Sequence, residues 1–114
     1  MDIPGYGDAE IGGEFSGEMV FPYGIEHIEV RHVHYSNQNV NLITSVTIPS
    51  SVKTIGAYAF YRCDEIKSIY IPDGVERIGN DAFAWCVSLV RASIPSGVIL
   101  GKGAFNPGVT VTRR

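Results

Sequence analysis

A short motif that returns at a constant spacing constrains this chain most strongly. Each copy contains an Ile-Pro pair, and two copies continue with an Ala-Phe pair and a cysteine at matching positions. The matching residues are Ile48-Pro49, Ile71-Pro72 and Ile94-Pro95, then Ala59-Phe60 and Ala82-Phe83, then Cys63 and Cys86. A single unit of this length cannot bury its own apolar face, so neighbouring copies must stack. The sequence therefore predicts a solenoid of stacked repeats.

The copies differ at the two ends of the array. The last one lacks a residue, so Ala104-Phe105 arrives one place early. An earlier partial copy, residues 21–28, mirrors residues 71–78, and the interval from its Phe21-Pro22 to Ile48-Pro49 is longer than the later intervals. We therefore expect one degenerate unit ahead of three closely matched ones.

Each copy is predicted to contain short strands. The segment Ile69-Tyr70-Ile71 alternates, which places two β-branched residues on one side and Tyr70 on the other. Thirteen Ile and twelve Val against three Leu also favour strands over helices. The Ala-Phe pair is expected on a brief helical turn with its ring inside. Three repeated glycines are expected at bends with unusual backbone angles: Gly56, Gly79 and Gly101.

The pattern resembles the repeats of the BspA-like (Treponema-type) leucine-rich repeat family, which read roughly L-x-x-I-x-I-P-x-x-V-x-x-I-G-x-x-A-F-x-x-C. The match is close over residues 43–105 and weaker over 19–42. The resemblance implies a mostly β, short right-handed leucine-rich-repeat solenoid of parallel strands with brief helical turns. It also implies a non-enzymatic protein-binding module, typically a bacterial cell-surface or secreted protein linked to adhesion or host interaction. The alternative is a small intracellular inhibitor or adaptor, of phage or mobile-element type, that docks on a larger protein.

Two regions follow from the repeat boundaries. Residues 1–42 are expected to form an amino-terminal cap with one degenerate repeat, and residues 43–114 to hold three repeats and a closing strand from Val109 to Thr112. The first coil is expected to be covered by four cap residues: Val30, Val33, Tyr35 and Val40. The closing strand is an open edge, where Arg113 and Arg114 either discourage pairing or flank a weak homodimer contact.

Charge and hydropathy exclude several function classes. The net charge is -3, with seven acids and no basic residue among residues 1–30, which argues against a nucleic-acid partner. No apolar run approaches the ~18 residues of a membrane span, so no membrane insertion is expected. The first residues lack the basic and apolar pattern of a signal peptide. A complete chain would thus be cytoplasmic, whereas the family resemblance suggests secretion or the cell surface.

No constellation in the sequence supports catalysis or a cofactor. His32 and His34 would share one strand face, but no third metal ligand is placed beside them, and surface histidines including His27 are the simpler interpretation. Cys63 and Cys86 occupy equivalent points of adjacent coils about 4.8 Å apart, which permits a disulfide, whereas the resemblance implies buried free thiols. We therefore expect no enzyme, no metal and no cofactor.

Positions that vary between copies are expected to face outward and to bind a partner. On the strand side, Tyr70 and Arg91 stand out among small polar residues, and Thr110 is expected to align with Ser93. On the turn side, aromatic residues replace other types: Tyr58 matches Asp81, Tyr61 matches Ala84, and Trp85 matches Arg62 and Pro107. Interfaces are enriched in Trp, Tyr and Arg. The candidate partner-binding residues are Tyr70, Arg91, Trp85, Tyr58, Tyr61 and Arg62, although Trp85 and Tyr61 have the alternative of covering the turn or packing on the next coil.

Overall fold

The computed structural model describes residues 17–30, 33 and 42–114. Across these ranges the chain forms nine short strands, two to four residues long. They are β1 Glu18–Val20, β2 His27–Ile28, β3 Ser45–Thr47, β4 Thr54–Ile55, β5 Ser68–Tyr70, β6 Arg77–Ile78, β7 Arg91–Ile94, β8 Ile99–Leu100 and β9 Thr110–Arg113. Short strands are expected here because prolines follow β3, β5 and β7 and cannot donate a ladder hydrogen bond.

The strands form two sides of a parallel β-solenoid. The even-numbered strands lie on one side in the order β2-β4-β6-β8, and the odd-numbered strands form the pair β1-β3 and the run β5-β7-β9. Strand β3 contacts β5, so the odd-numbered strands follow one another along the solenoid. Each repeat contributes one strand to each side, which gives about four turns. The predicted solenoid of parallel strands is thereby confirmed.

A ladder of phenylalanine rings fills the interior. The rings of Phe60 and Phe83 are stacked with centroids 5.1 Å apart, and those of Phe83 and Phe105 with centroids 5.0 Å apart, both pairs within 8° of parallel. Phe21 of the first coil meets Phe60 edge-on at 6.1 Å. Phe60 and Phe83 are completely buried. The repeated Ala-Phe position therefore supplies the core, as the sequence predicts.

The segments that carry these rings are successive turns rather than a continuous helix. In the turn before Cys63, the amides of Ala59 and Tyr61 each donate to the carbonyl three residues earlier. Tyr58 and Arg62 have φ values of 61° and 62°, in the left-handed region that a right-handed helix cannot contain. The next copy repeats this geometry with Asp81 at 56° and Trp85 at 62°.

The turns also stack on one another and form a third side of the coil. The amide of Phe60 donates to the carbonyl of Ala82 at 2.7 Å, and that of Phe83 to the carbonyl of Ala104 at 2.9 Å. Backbone hydrogen bonds therefore link adjacent coils at the turns as well as in the sheets. Equivalent side chains of neighbouring copies consequently lie beside each other.

The predicted reason for the repeated glycines is wrong. None of Gly56, Gly79 and Gly101 has a φ in the left-handed region. A Cβ on Gly79 would lie 2.5 Å from the amide nitrogen of Ala57, and one on Gly101 would lie 2.5 Å from the amide nitrogen of Asn80. At Gly79 and Gly101 glycine is needed because the backbones of adjacent coils approach too closely for a side chain, whereas a Cβ on Gly56 would lie 3.3 Å from the nearest atom, the carbonyl oxygen of Ile28.

The last coil differs from the others in register. Arg91 pairs with Ser68 on one side and with Thr110 on the other, although the interval from Arg91 to Thr110 along the chain is the shorter of the two. The expected alignment of Thr110 with Ser93 is therefore wrong, and Thr112 lies opposite Ser93. The turn before the strand is kept, since the amide of Val109 donates to the carbonyl of Asn106 as that of Leu89 does to the carbonyl of Cys86, so the missing residues lie outside this turn. The suggested homodimer through the β9 edge stays a prediction.

Part of the predicted amino-terminal cap can be located. Val33 is completely buried in the core, whereas Val30 is exposed, so of these two only Val33 helps to cover the first coil. Tyr35 and Val40 lie outside the described residues. The division at residue 42 stays a prediction.

Candidate functional site

Two of the six predicted binding residues lie on adjacent strands of the strand side. Tyr70 of β5 and Arg91 of β7 are exposed, and the register places Arg91 beside Ser68 and Tyr70 beside Ser93. A shallow depression of about 240 Å³ lies between them and includes Thr112 in its lining. The small residues that line this depression, Ser68, Ala92 and Ser93, leave room for a side chain of another molecule.

The other four predicted residues lie on the turn side. Tyr58 and Tyr61 belong to the same turn, and their rings meet edge-on with centroids 5.5 Å apart. The amide of Arg62 donates to the carbonyl of Ala84 at 2.9 Å, which brings Trp85 beside Arg62 across the boundary between two coils. The six candidates thus form two separate groups on different sides of the coil.

The two alternatives for Trp85 and Tyr61 are separated by burial. Trp85 is 61% exposed, so most of its surface is open to solvent rather than packed on its turn or on the next coil. Its amide donates to Oδ1 of Asn106 at 3.3 Å, which fixes the backbone of the turn. Tyr61 is half-buried against Tyr58 and partly covers its own turn.

One apolar residue beside Trp85 was missed by the sequence reasoning. Val87 is 68% exposed and occupies the position of Asp64 in the preceding copy, while Trp85 occupies that of Arg62. Exposed Val90 likewise stands where the preceding copy has a lysine. Comparing every position in the register of the repeat would have found these replacements. We call Tyr58, Tyr61, Arg62, Trp85 and Val87 together the turn patch.

The two cysteines, Cys63 and Cys86, form a pair of buried free thiols. The thiol of Cys86 donates to the carbonyl of Phe60 at 3.1 Å. The hydrogen bond with Cys86 and burial in the core raise the pKa of Cys63 above its usual value. A protonated buried thiol is inert, and these side chains act as small hydrophobic residues.

The remaining candidates offer no metal centre in the part of the chain that the structure describes. His27 is exposed, and its Nδ1 lies 2.7 Å from the hydroxyl of Thr54. His32 and His34 lie outside the described residues. Within residues 17–30, 33 and 42–114, no three potential metal-ligating side chains cluster together. Nor does any helix in these ranges have the length and apolar character needed to cross a membrane.

Comparison with known proteins adds one finding. A family model described as a BspA type leucine rich repeat region, with six copies, matches residues 18–110. Neither the curated proteins nor the solved structures contain a match. The match covers the degenerate first copy and the repeats, and it ends at the first residue of β9. The resemblance inferred from the sequence is confirmed.

Proposed function

The chain belongs to the BspA-type leucine-rich repeat family, and on that premise we propose that it is a non-enzymatic module that binds another protein through the turn patch. Leucine-rich repeat modules generally mediate contacts between proteins, because stacked repeats display an extended surface on a rigid frame. The proposal rests on one observation above all, the exposed indole of Trp85.

Trp85 combines an unfavourable backbone with an exposed apolar ring. Its φ of 62° belongs to the left-handed region, which costs an L-residue other than glycine, asparagine or aspartate about 1–2 kcal/mol. Its side chain is 61% exposed, so burial in the core does not offset that cost. The equivalent position in the preceding copy is Arg62, which shows that the repeat does not require an aromatic residue there. We infer that the ring serves a contact with another molecule.

The surroundings of Trp85 have the composition of an interaction hot spot. Val87 extends the apolar surface, while Arg62 and the pair Tyr58–Tyr61 lie in the neighbouring turn. Trp, Tyr and Arg are the residue types that contribute most at protein interfaces, and they do so around an apolar centre. The turn patch therefore suits a partner that presents an apolar protrusion.

Trp85→Asn is expected to preserve stability while it weakens partner binding. Asparagine tolerates the left-handed backbone, so the free energy of unfolding should stay within about 0.5 kcal/mol of the wild type or rise above it. Loss of a hot-spot tryptophan should weaken partner binding by about 30-fold or more. Urea unfolding measures the free energy of unfolding. Tyr23→Asn is the matched control, since Tyr23 is 79% exposed on the first coil, away from the turn patch.

A comparative capture experiment tests the proposed surface. Wild type, Trp85→Asn and Tyr23→Asn are immobilised at equal density and exposed to extract of the source cell and to proteins from its surroundings. We expect at least one protein that the wild type and Tyr23→Asn retain and Trp85→Asn loses. If every captured protein is retained equally by all three chains, the turn patch is not the binding surface.

The setting that we propose is the cell surface or the extracellular space of a bacterium, in adhesion or host interaction. It is supported by the family to which the repeats belong. An intracellular inhibitor or adaptor is the second candidate, and the two free thiols in adjacent coils favour it because such pairs persist in reducing compartments. Fractionation of the source cell distinguishes them: recovery in the surface or secreted fraction supports the first, and recovery only in the cytoplasm contradicts it.

A further inference from the structure

Arg114 reaches back across the strand side into a set of acceptor groups. Its Nη1 donates to the hydroxyl of Ser93 at 2.7 Å, and its Nη2 donates to Oδ1 of Asp73 at 2.7 Å and to the carbonyl of Ile71. Its Nε donates to the same Asp73 oxygen at 3.2 Å. The guanidinium carbon lies 4.2 Å from the centre of the Tyr70 ring. Four side-chain and backbone groups thus converge on one guanidinium.

The chemistry of these groups matches arginine rather than lysine. A guanidinium is planar, so it can stack on a ring while its edge donates several hydrogen bonds at once. Tyr70 supplies the ring, and Asp73, Ile71 and Ser93 supply a carboxylate, a carbonyl and a hydroxyl oxygen around the edge. The ammonium group of lysine has a point-like charge and makes neither the planar stack nor the fork of donors.

A groove extends from this cluster and leaves room for more than one side chain. It has a volume of about 770 Å³, and its lining includes Asp73, Glu76, Pro95, Ile99 and Arg114. Glu76 adds a second carboxylate to the lining. The Asp73 side chain is 83% exposed even with Arg114 in place, whereas that of Arg114 is 26% exposed. The carboxylate is therefore open to solvent even though Arg114 contacts it.

We propose that Tyr70, Asp73, Ser93 and the carbonyl of Ile71 form an arginine-binding site, hereafter the arginine site. Its occupant is an arginine side chain of a partner protein, and Arg114 fills the site until that partner binds. The Asp73 carboxylate is 83% exposed, so water screens its ion pair with Arg114 and the pair contributes only about 0–1 kcal/mol. The remaining hydrogen bonds and the stacked ring are equally available to an arginine of the partner. Because Arg114 belongs to the same chain, it competes at a high effective concentration and lowers the apparent affinity for an external arginine.

The inference rests on the proposed function only in that a protein supplies the arginine. The arginine site lies on the strand side and shares no residue with the turn patch. Trp85→Asn should therefore leave arginine binding unchanged, so failure of one proposal is distinguishable from failure of the other.

The test titrates Arg114→Ala with two short blocked peptides, Ac-Gly-Arg-Gly-NH2 and Ac-Gly-Lys-Gly-NH2, and follows the NMR signals of the Tyr70 ring. We expect Arg114→Ala to bind the arginine peptide about ten-fold more tightly than the wild type does, because the internal competitor is gone. It should bind the lysine peptide about ten-fold more weakly than the arginine peptide. Adding Asp73→Asn to Arg114→Ala should remove the difference between the peptides.

Arg113→Ala is the matched control. The guanidinium of Arg113 donates to the carbonyls of Ser96 and Val98 at 2.9 and 3.0 Å, outside the arginine site, so its loss should bring no gain in affinity. Equal affinity of Arg114→Ala for both peptides, or no binding of either, would overturn the proposal. So would a wild-type dimer that Arg114→Ala abolishes in light scattering, because the occupant would then be a second copy of this chain.

Discussion

Replacing Phe83 by alanine is expected to lower the free energy of unfolding by about 3–5 kcal/mol. The ring is completely buried and lies between those of Phe60 and Phe105, with centroids 5.1 and 5.0 Å away. Its removal therefore loses apolar burial and two stacked aromatic contacts, and it leaves a cavity in the middle of the ladder. In a repeat protein each coil contacts only its neighbours, so a defect between two coils also weakens the interaction between the parts of the solenoid on either side of it.

Urea unfolding followed by circular dichroism measures this loss. Phe105→Ala is the matched control, because Phe105 occupies the end of the same ladder and is only partly buried. We expect the loss for Phe105→Ala to be clearly smaller. A loss below about 1 kcal/mol for Phe83→Ala would contradict a continuous phenylalanine core, since substitutions of that size are typical of surface positions.

Gly79→Ala is expected to destabilise the protein by about 3 kcal/mol, the upper end of the usual cost of overpacking. The new Cβ would lie 2.5 Å from the amide nitrogen of Ala57 and 2.8 Å from the carbonyl carbon of Gly56. These are backbone atoms of the preceding coil and cannot rotate away. Relief requires the coils to separate, which weakens the hydrogen bond from the amide of Gly79 to the carbonyl of Ile55, now 2.7 Å long.

Gly97→Ala is the control for this substitution. No atom lies within 4 Å of the position that its Cβ would take, and its φ lies outside the left-handed region. Its free energy of unfolding should therefore stay unchanged or rise by a few tenths of a kcal/mol, because alanine has less backbone freedom in the unfolded chain. Equal losses for Gly79→Ala and Gly97→Ala in thermal or urea unfolding would contradict the close approach of the coils.

The repeat made much of the fold predictable. Because the period is fixed, assigning the Ile, Val and Phe of one copy to the interior assigns the matching residues of the other copies as well. Phe60 and Phe83 are both buried in the core, as this predicts. Two details did not follow from the pattern. The role of Gly79 depends on a distance between coils, which periodicity does not contain. The register of β9 depends on where the last unit loses its residues, which the single missing place before Ala104-Phe105 does not reveal.

The residues of the candidate site that differ between copies of the repeat could be predicted from the sequence. Trp85 stands out because equivalent positions carry other residue types, and Val87 could have been found in the same way. The contacts of Arg114 could not, because Asp73 lies far back along the chain and no repeat of either residue marks the pair. Such a contact depends on the geometry of the shortened last coil, which only the folded structure provides.

Hydroxyl-radical footprinting of the complex with the captured partner tests the central claim, that the turn patch binds a protein. Aromatic side chains report directly, because Trp85 and Tyr58 are exposed in the free chain and Tyr23, 79% exposed on the first coil, serves as an internal reference. If the turn patch binds the partner, Trp85 and Tyr58 should lose most of their reactivity towards hydroxyl radicals in the complex, while Tyr23 keeps its own. Unchanged reactivity of Trp85 and Tyr58 in a saturated complex would contradict this claim.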